Sequence, residues 1–142
     1  MNPFTVRNNI ALFFALLVVI TCRGQQIVSG ASQPDKYIPL FEGKTIALVV
    51  NQTSMAGDVH LVDLLLSKGV KVEKIFAPEH GFRGETEAGE SVSTTKDTKS
   101  GLPLVSLYGD KKKPTRQDLA GIGLVVFDIQ DVGCRFFTYI ST

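Results

Sequence analysis

The chain has 142 residues, 44% of them hydrophobic, and a formal net charge of +1, enough to build one ordinary globular core. That composition excludes a disordered, collagen-like or fibrous chain, and its charge balance points to no nucleic-acid partner. Its two cysteines, Cys22 and Cys134, support neither a disulfide framework nor a zinc spacing.

Residues 1–24 read as an export signal. Arg7 and the amino terminus precede an unbroken apolar run from Ile10 to Ile20, followed by Thr21, Cys22, Arg23 and Gly24, the layout of a secretory signal peptide. The run is well short of the roughly 20 apolar residues that a spanning helix needs. Two forms of the mature chain fit. A lipoprotein would carry its anchor on Cys22, although Val19, Ile20 and Thr21 match that pattern only loosely; otherwise the product is soluble, periplasmic or secreted. Removing this segment takes Arg7 and Arg23 from the 15 basic residues and leaves the 14 acidic ones in slight excess. Cys134 then stands alone and reads as a small buried hydrophobe.

Residues 25–39, with Gly30, Ser32, Pro34 and Pro39, read as a polar leader, and the folded domain is expected to span 40–142. Thr45 to Val50 is a continuous aliphatic and β-branched run, the pattern of a strand buried on both faces of a parallel sheet. From Asp58 to Lys68, Val59, Val62, Leu65 and Leu66 recur at helical spacing, with Asp58 as expected N-cap and Gly69 as C-terminal stop. Val70 to Phe76 is a second strand and runs into Pro78-Glu79-His80-Gly81.

The stretch 82–101 shows no periodicity and is long for a passive connection, which marks it as a functional loop. Leu102 to Tyr108 reads as a third strand, Pro114 to Leu119 as a short helix, and Leu124 to Ile129 as a fourth strand. Alternating strands and helices predict an α/β fold, a Rossmann-like parallel sheet with helices on both faces and right-handed crossovers. Asn51, Glu79, Tyr108 and Asp131 would then emerge at one carboxyl edge, where such sheets hold ligands. Four strands are few for this architecture, so the chain reads as a truncated part of a longer sheet.

No cofactor or metal is implied. The glycine fingerprint of a dinucleotide fold is missing after the first strand, no nucleophile elbow is present, and only His60 and His80 could serve a metal. What the loops do offer is carboxylates: Glu79, Glu85, Glu87 and Glu90 after the second strand, Asp128 and Asp131 after the fourth. Paired carboxylates in a cleft are the equipment of glycoside hydrolysis, one protonating the leaving oxygen while another group activates water or stabilises the cation. A solvated, charged loop is the competing reading. His80 orients a carboxylate, donates to a sugar hydroxyl, or is structural; Arg83 and Arg135 pair with loop acids or grip an anionic substrate group. Lys111-Lys112-Lys113 reads as a solvated turn.

The ordered series Ala77-Pro78-Glu79-His80-Gly81-Phe82-Arg83-Gly84, Ala88-Gly89-Glu90, Gly101-Leu102-Pro103, Ser106-Leu107-Tyr108-Gly109, Lys113-Pro114-Thr115 and Phe127 through Thr142 resembles the NamZ-type exo-β-N-acetylmuramidases of bacteria. The resemblance runs from about Leu40 to the end. It implies an exo-acting glycosidase that removes terminal N-acetylmuramic acid from peptidoglycan fragments, with a Rossmann-like N-terminal domain and a smaller C-terminal domain around a cleft. Carried over residue by residue, it makes Glu79 the expected catalytic acid with His80 beside it, and Glu90 and Asp131 neighbours in the cleft. Asn51 is a candidate substrate ligand from its place at the end of the first strand. A sugar- or muropeptide-binding module without catalysis is the alternative on the same fold.

Overall fold

A computed structural model describes Phe13 and residues 27–78, 82–83 and 95–134. Its central element is β1 (Ile46–Val50), buried along its whole length, because five consecutive apolar side chains leave neither face suited to water. On one side β1 pairs in parallel with β4 (Val72–Ala77), which pairs in parallel with β6 (Pro103–Ser106). On its other side lies β7 (Leu124–Asp128), also parallel, with Val50 opposite Asp128. A two-residue strand, β5 (Thr95–Lys96), closes the far edge antiparallel to β6, giving the order β5-β6-β4-β1-β7. The four parallel strands are the four expected from the sequence. β5 falls inside the stretch read as loop; two residues are too few to show a period.

Ile46, Leu48 and Val50 face a core built with Leu61, Val62 and Leu65 of α2 (Leu61–Ser67). Ala47 and Val49 face the opposite side with Phe76, Val105 and Leu107, over which Ile122 and Ile129 pack. Among the described residues, both helical segments lie on the first of these faces. Its second cover comes from α1 (Pro34–Tyr37) and the 3-10 turn Ile38–Phe41, where Phe41 and Ala31 are buried and Tyr37 and Ile38 pack against the same core. The ordered body therefore begins before Leu40. Its polar composition is misleading there, because a few apolar side chains at the right positions suffice to dock a short segment.

Three local expectations change. Asp58 is not the N-cap of α2: residues 55–60 first form a tight hairpin, β2 (Met55–Ala56) against β3 (Val59–His60). Gly57, with φ of 64°, makes its two-residue turn accessible. The cap is His60, whose ring accepts from the Val62 N–H. At the other end Gly69 does stop the helix, through bonds from Gly69 N–H to Leu66 O and from Val70 N–H to Leu65 O, both 3.0 Å, the Schellman pattern. The helix expected over 114–119 is instead a run of turns: Thr115 and Asp118 bond reciprocally in the pattern of a capping box, but the one turn they start, with the Leu119 N–H on the Thr115 carbonyl, is followed directly by Gly121 at φ of 77°. Cys134 is exposed rather than buried, since the chain leaves the sheet after β7 and residues 131–134 lie on the surface. No helix of the described residues is long and apolar enough to cross a membrane.

Candidate functional site

Because β1, β4, β6 and β7 run parallel, Asn51, Pro78, Leu107 and Ile129 leave the sheet at one edge. The two halves of that edge differ in how their polar groups are held.

At the exit of β4, Pro78 is buried, and so is Phe82, only 3% exposed. The Phe82 ring stands edge-on to His60 at 4.7 Å between centroids, and the Arg83 guanidinium lies 4.5 Å from the Phe82 ring centre. Arg83 grips two carboxylates at once. Its Nε and Nη2 donate to Asp97 at 2.8 and 2.9 Å, and its Nη2 and Nη1 donate to Asp63 at 3.0 and 3.3 Å. Ser100 gives Asp97 two further donors, from its N–H and its hydroxyl, and Lys99 donates to Asp63. The Arg83 bonds and those from Ser100 hold the Asp97 carboxyl far below the usual carboxylate range, against the opposing effect of burial. Burial acts against Asp63 as well, yet its bonds to Arg83 and Lys99 prevail and its pKa is lowered. Of the two readings of Arg83, this geometry realises the ion pair: it ties the segment after Gly81 to α2 and to the turn before β6.

At the exit of β1, Asn51 is fully buried. Its N–H donates to Ser54 Oγ at 3.0 Å, and its Oδ1 accepts from the Thr53 N–H at 2.9 Å and the Thr53 hydroxyl at 2.6 Å, an Asx turn. Two bonds then reach across to β7. Ser54 Oγ donates to the Asp128 carbonyl, and the Gln130 N–H donates to Thr53 Oγ1 at 3.0 Å. His60 closes the loop from behind, with Nε2 2.9 Å from the Asn51 carbonyl. Since Nδ1 already accepts from Val62, Nε2 carries the proton. Burial lowers the pKa of this imidazole despite the bond to Asn51.

Asp128 is half-buried and its carboxyl is pushed up by burial, only partly offset by His60. It lines a cavity of about 250 Å³ with Tyr37, Phe41, Leu61, Leu65 and Val126. A larger cavity, about 590 Å³, sits at the opposite edge of the sheet between Phe41–Thr45 and Lys68–Lys71, away from every strand exit. The carboxyl edge is the one at which open parallel sheets bind their ligands.

Of the residues expected from the sequence, Asn51, Arg83 and Asp131 are described. Asn51 and Asp131 leave the neighbouring strands β1 and β7, and Asp131 is exposed with its Oδ1 accepting from the Gly133 N–H at 2.8 Å. Glu79, His80, Glu90 and Arg135 lie outside the described residues. Sequence reading missed Asp63, Asp97, Ser54 and the capping role of His60. Asn51-Gln52-Thr53-Ser54 carried a usable signal, because Asn, Thr and Ser two and three apart bond their own backbone; the two aspartates, far from Arg83 in sequence, carried none. Among the described residues no group of three His, Cys, Asp or Glu side chains could hold a metal ion.

Residues 46–142 match a family model described as exo-beta-N-acetylmuramidase NamZ, N-terminal. The peptidoglycan beta-N-acetylmuramidase NamZ of Bacillus subtilis (strain 168) is 43% identical over 113 residues, 77% of this chain and 27% of that protein. Crystal structures of two DUF1343 family proteins of Bacteroides fragilis NCTC 9343 share the fold. One has a TM-score of 0.68 and 41% identity, covering 82% of this chain and 30% of that one; the other has 0.67 and 38%, covering 77% and 27%. The chain thus spans under a third of the length of each of these relatives.

Proposed function

Since the chain belongs to the family of exo-beta-N-acetylmuramidase NamZ N-terminal domains, we propose that the protein is an exo-acting glycoside hydrolase releasing terminal N-acetylmuramic acid from peptidoglycan fragments. The observation that carries this reading is the shared carboxyl edge of β1, β4, β6 and β7. β4 sits inside the sheet between β1 and β6, and Pro78 at its end is directly followed by Glu79. The exit of β4 is flanked by those of β6 and β1, with that of β7 beyond β1, and the carboxyl ends of such strands are where α/β enzymes assemble a site.

In this mechanism Glu79 protonates the glycosidic oxygen as the bond to the muramic residue breaks, and a second group activates water or stabilises the oxocarbenium-like centre. His80, Glu90, Asp131 and Arg135 are the proposed neighbours of the sugar, and Asn51 a ligand to it. Its partners would be muropeptides or disaccharides derived from peptidoglycan, handled in cell-wall turnover without a cofactor. Export through residues 1–24, to the periplasm or the medium with or without a lipid on Cys22, accords with a substrate outside the cytoplasmic membrane; fractionation of cells expressing wild type and Cys22→Ser tests it.

The direct experiment gives the full-length protein a chromogenic β-N-acetylmuramide beside Glu79→Gln. Removing a general acid lowers turnover by about 10²- to 10⁴-fold. Equal turnover by both proteins rules out Glu79 as the acid, and saturable binding with no hydrolysis by either favours the binding module.

A further inference from the structure

Both ring nitrogens of His60 are in use, and each serves a different element. Nε2 stands 2.9 Å from the Asn51 carbonyl at the exit of β1, while Nδ1 accepts from the Val62 N–H, at 3.3 Å, at the start of α2. The ring is only 7% exposed. It meets Phe82, beyond the exit of β4, at 4.7 Å between centroids and an interplanar angle of 81°, and the Arg83 guanidinium lies 4.5 Å from the centre of that same Phe82 ring. One imidazole thus joins the turn that carries Asn51 to the residues that follow β4, which are far from it in sequence.

A helix cap alone does not call for this residue. Ser, Thr, Asp and Asn accept from the same backbone position with shorter side chains, and none of them reaches on to a second element as an imidazole does. A neutral imidazole has one acceptor and one donor; both are spent here, and both bonds require the proton on Nε2. Protonation turns Nδ1 into a donor facing another donor, the Val62 N–H. The arrangement therefore holds in one charge state only. Its surroundings favour that state: burial first and the Arg83 charge after it lower the pKa, against the Asn51 carbonyl and the carboxylates of Asp63 and Asp97, with Asp128 of β7 also within electrostatic reach. Asp63 and Asp97 are themselves engaged by Arg83.

We propose that His60 is a positioning residue of the candidate site: as a neutral imidazole it keeps Asn51, the proposed sugar ligand, in register with Phe82, which follows the proposed acid by three residues in sequence. The inference rests on the muramidase reading for the reaction served, and adds to it a group that touches neither the substrate nor the reacting atoms. Its consequence is an acid limb in the pH profile. Turnover falls as His60 takes up a proton, with a midpoint below the ordinary histidine value of about 6.5.

Two substitutions separate the two bonds. His60→Asn keeps an acceptor for the Val62 N–H but does not reach the Asn51 carbonyl; His60→Gln carries a donor out to that carbonyl but leaves Val62 without its acceptor. Neither side chain titrates. With the full-length protein and a chromogenic β-N-acetylmuramide, turnover per folded molecule should fall by about tenfold or more in His60→Asn across the pH range. His60→Gln should keep most of it while losing the part of the acid limb that follows His60. Ring NMR of the histidine-labelled protein, read without substrate, should show the Nε2–H tautomer at neutral pH and protonation at the midpoint of that limb. Wild-type turnover in His60→Asn, an equal loss in both variants, or an unchanged acid limb in His60→Gln overturns the inference and leaves the role of Glu79 intact, since Glu79→Gln is judged separately. A wild type without turnover sinks the muramidase reading instead, and His60 then stands or falls as the link between the two exits on its ring tautomer alone.

Discussion

The exit of β4 and the exits of β1 and β7 lie on one edge of one sheet, yet their polar groups are treated in opposite ways. Around Arg83 both carboxylates among the described residues are matched: Asp97 and Asp63 share the guanidinium, and Ser100 and Lys99 complete them. Around Asn51 and Asp128 the backbone is tied down just as firmly, but among the described residues one donor and one acceptor are left over. Paired groups hold a loop in place, whereas unpaired buried ones cost stability.

The contrast is broken most sharply at Arg83. Asp97 is 5% exposed, and removing the cation leaves that carboxylate buried with only its Ser100 bonds, so Arg83→Ala is expected to lower the unfolding free energy by about 3 kcal/mol. Urea titration of the full-length protein measures it, and a loss below about 1 kcal/mol would mean that the cluster is solvated and the contrast unfounded.

The two exits should also answer pH with opposite sign. Asp97 has a folded pKa held well below its unfolded value of about 3.9, so its contribution is present above that value and is lost as the pH falls through the folded pKa. Asp97→Asn is accordingly expected to cost about 2 kcal/mol at neutral pH, with the gap to wild type closing in acid. Asp128 has a raised pKa, so the folded state binds its proton more tightly than the unfolded one, and stability falls as pH rises from about 4 through the folded value. Asp128→Asn should therefore match or exceed wild type by up to about 1 kcal/mol at neutral pH and lose that advantage below about pH 4. Melting curves across this range decide the matter; parallel curves for the two variants erase the distinction.

The smallest effect belongs to a pair outside either exit. Lys111 lies 2.7 Å from Asp118 on the surface and, with Thr115, holds that carboxyl down at about 2. Lys111→Ala should cost less than about 1 kcal/mol, less still in high salt. A larger, salt-insensitive loss would extend the behaviour of the Arg83 cluster to this turn.

β1 and β7 show how far the sequence reaches. Both are continuous apolar runs and both are strands, but β1 is buried throughout while Val125 and Phe127 of β7 are 42% and 47% exposed. Period and composition establish that a segment is a strand; its neighbours in the sheet decide how much of it water sees. The same limit appears at Pro114–Leu119, where helix-compatible residues make only turns before Gly121. It appears again in the polar stretch 25–39, whose composition hides the few side chains, Ala31, Tyr37 and Ile38 among them, that dock on the core.

By itself the sequence determined the four parallel strands, the helix between the first two and its stop at Gly69, the emergence of Asn51 and Asp131 at one carboxyl edge, and the motif series of the family. These are local properties, legible because hydrophobic period and glycine conformation act within a few residues. Only the tertiary structure decided that Arg83 binds Asp63 and Asp97, that His60 caps α2 while holding the Asn51 carbonyl, and that Asn51 Nδ2 and Asp128 Oδ2 stay unpartnered. Whether a polar group is satisfied depends on what the fold brings to it from far along the chain, and burial, which sets the cost of leaving it unsatisfied, is itself a property of the packed whole.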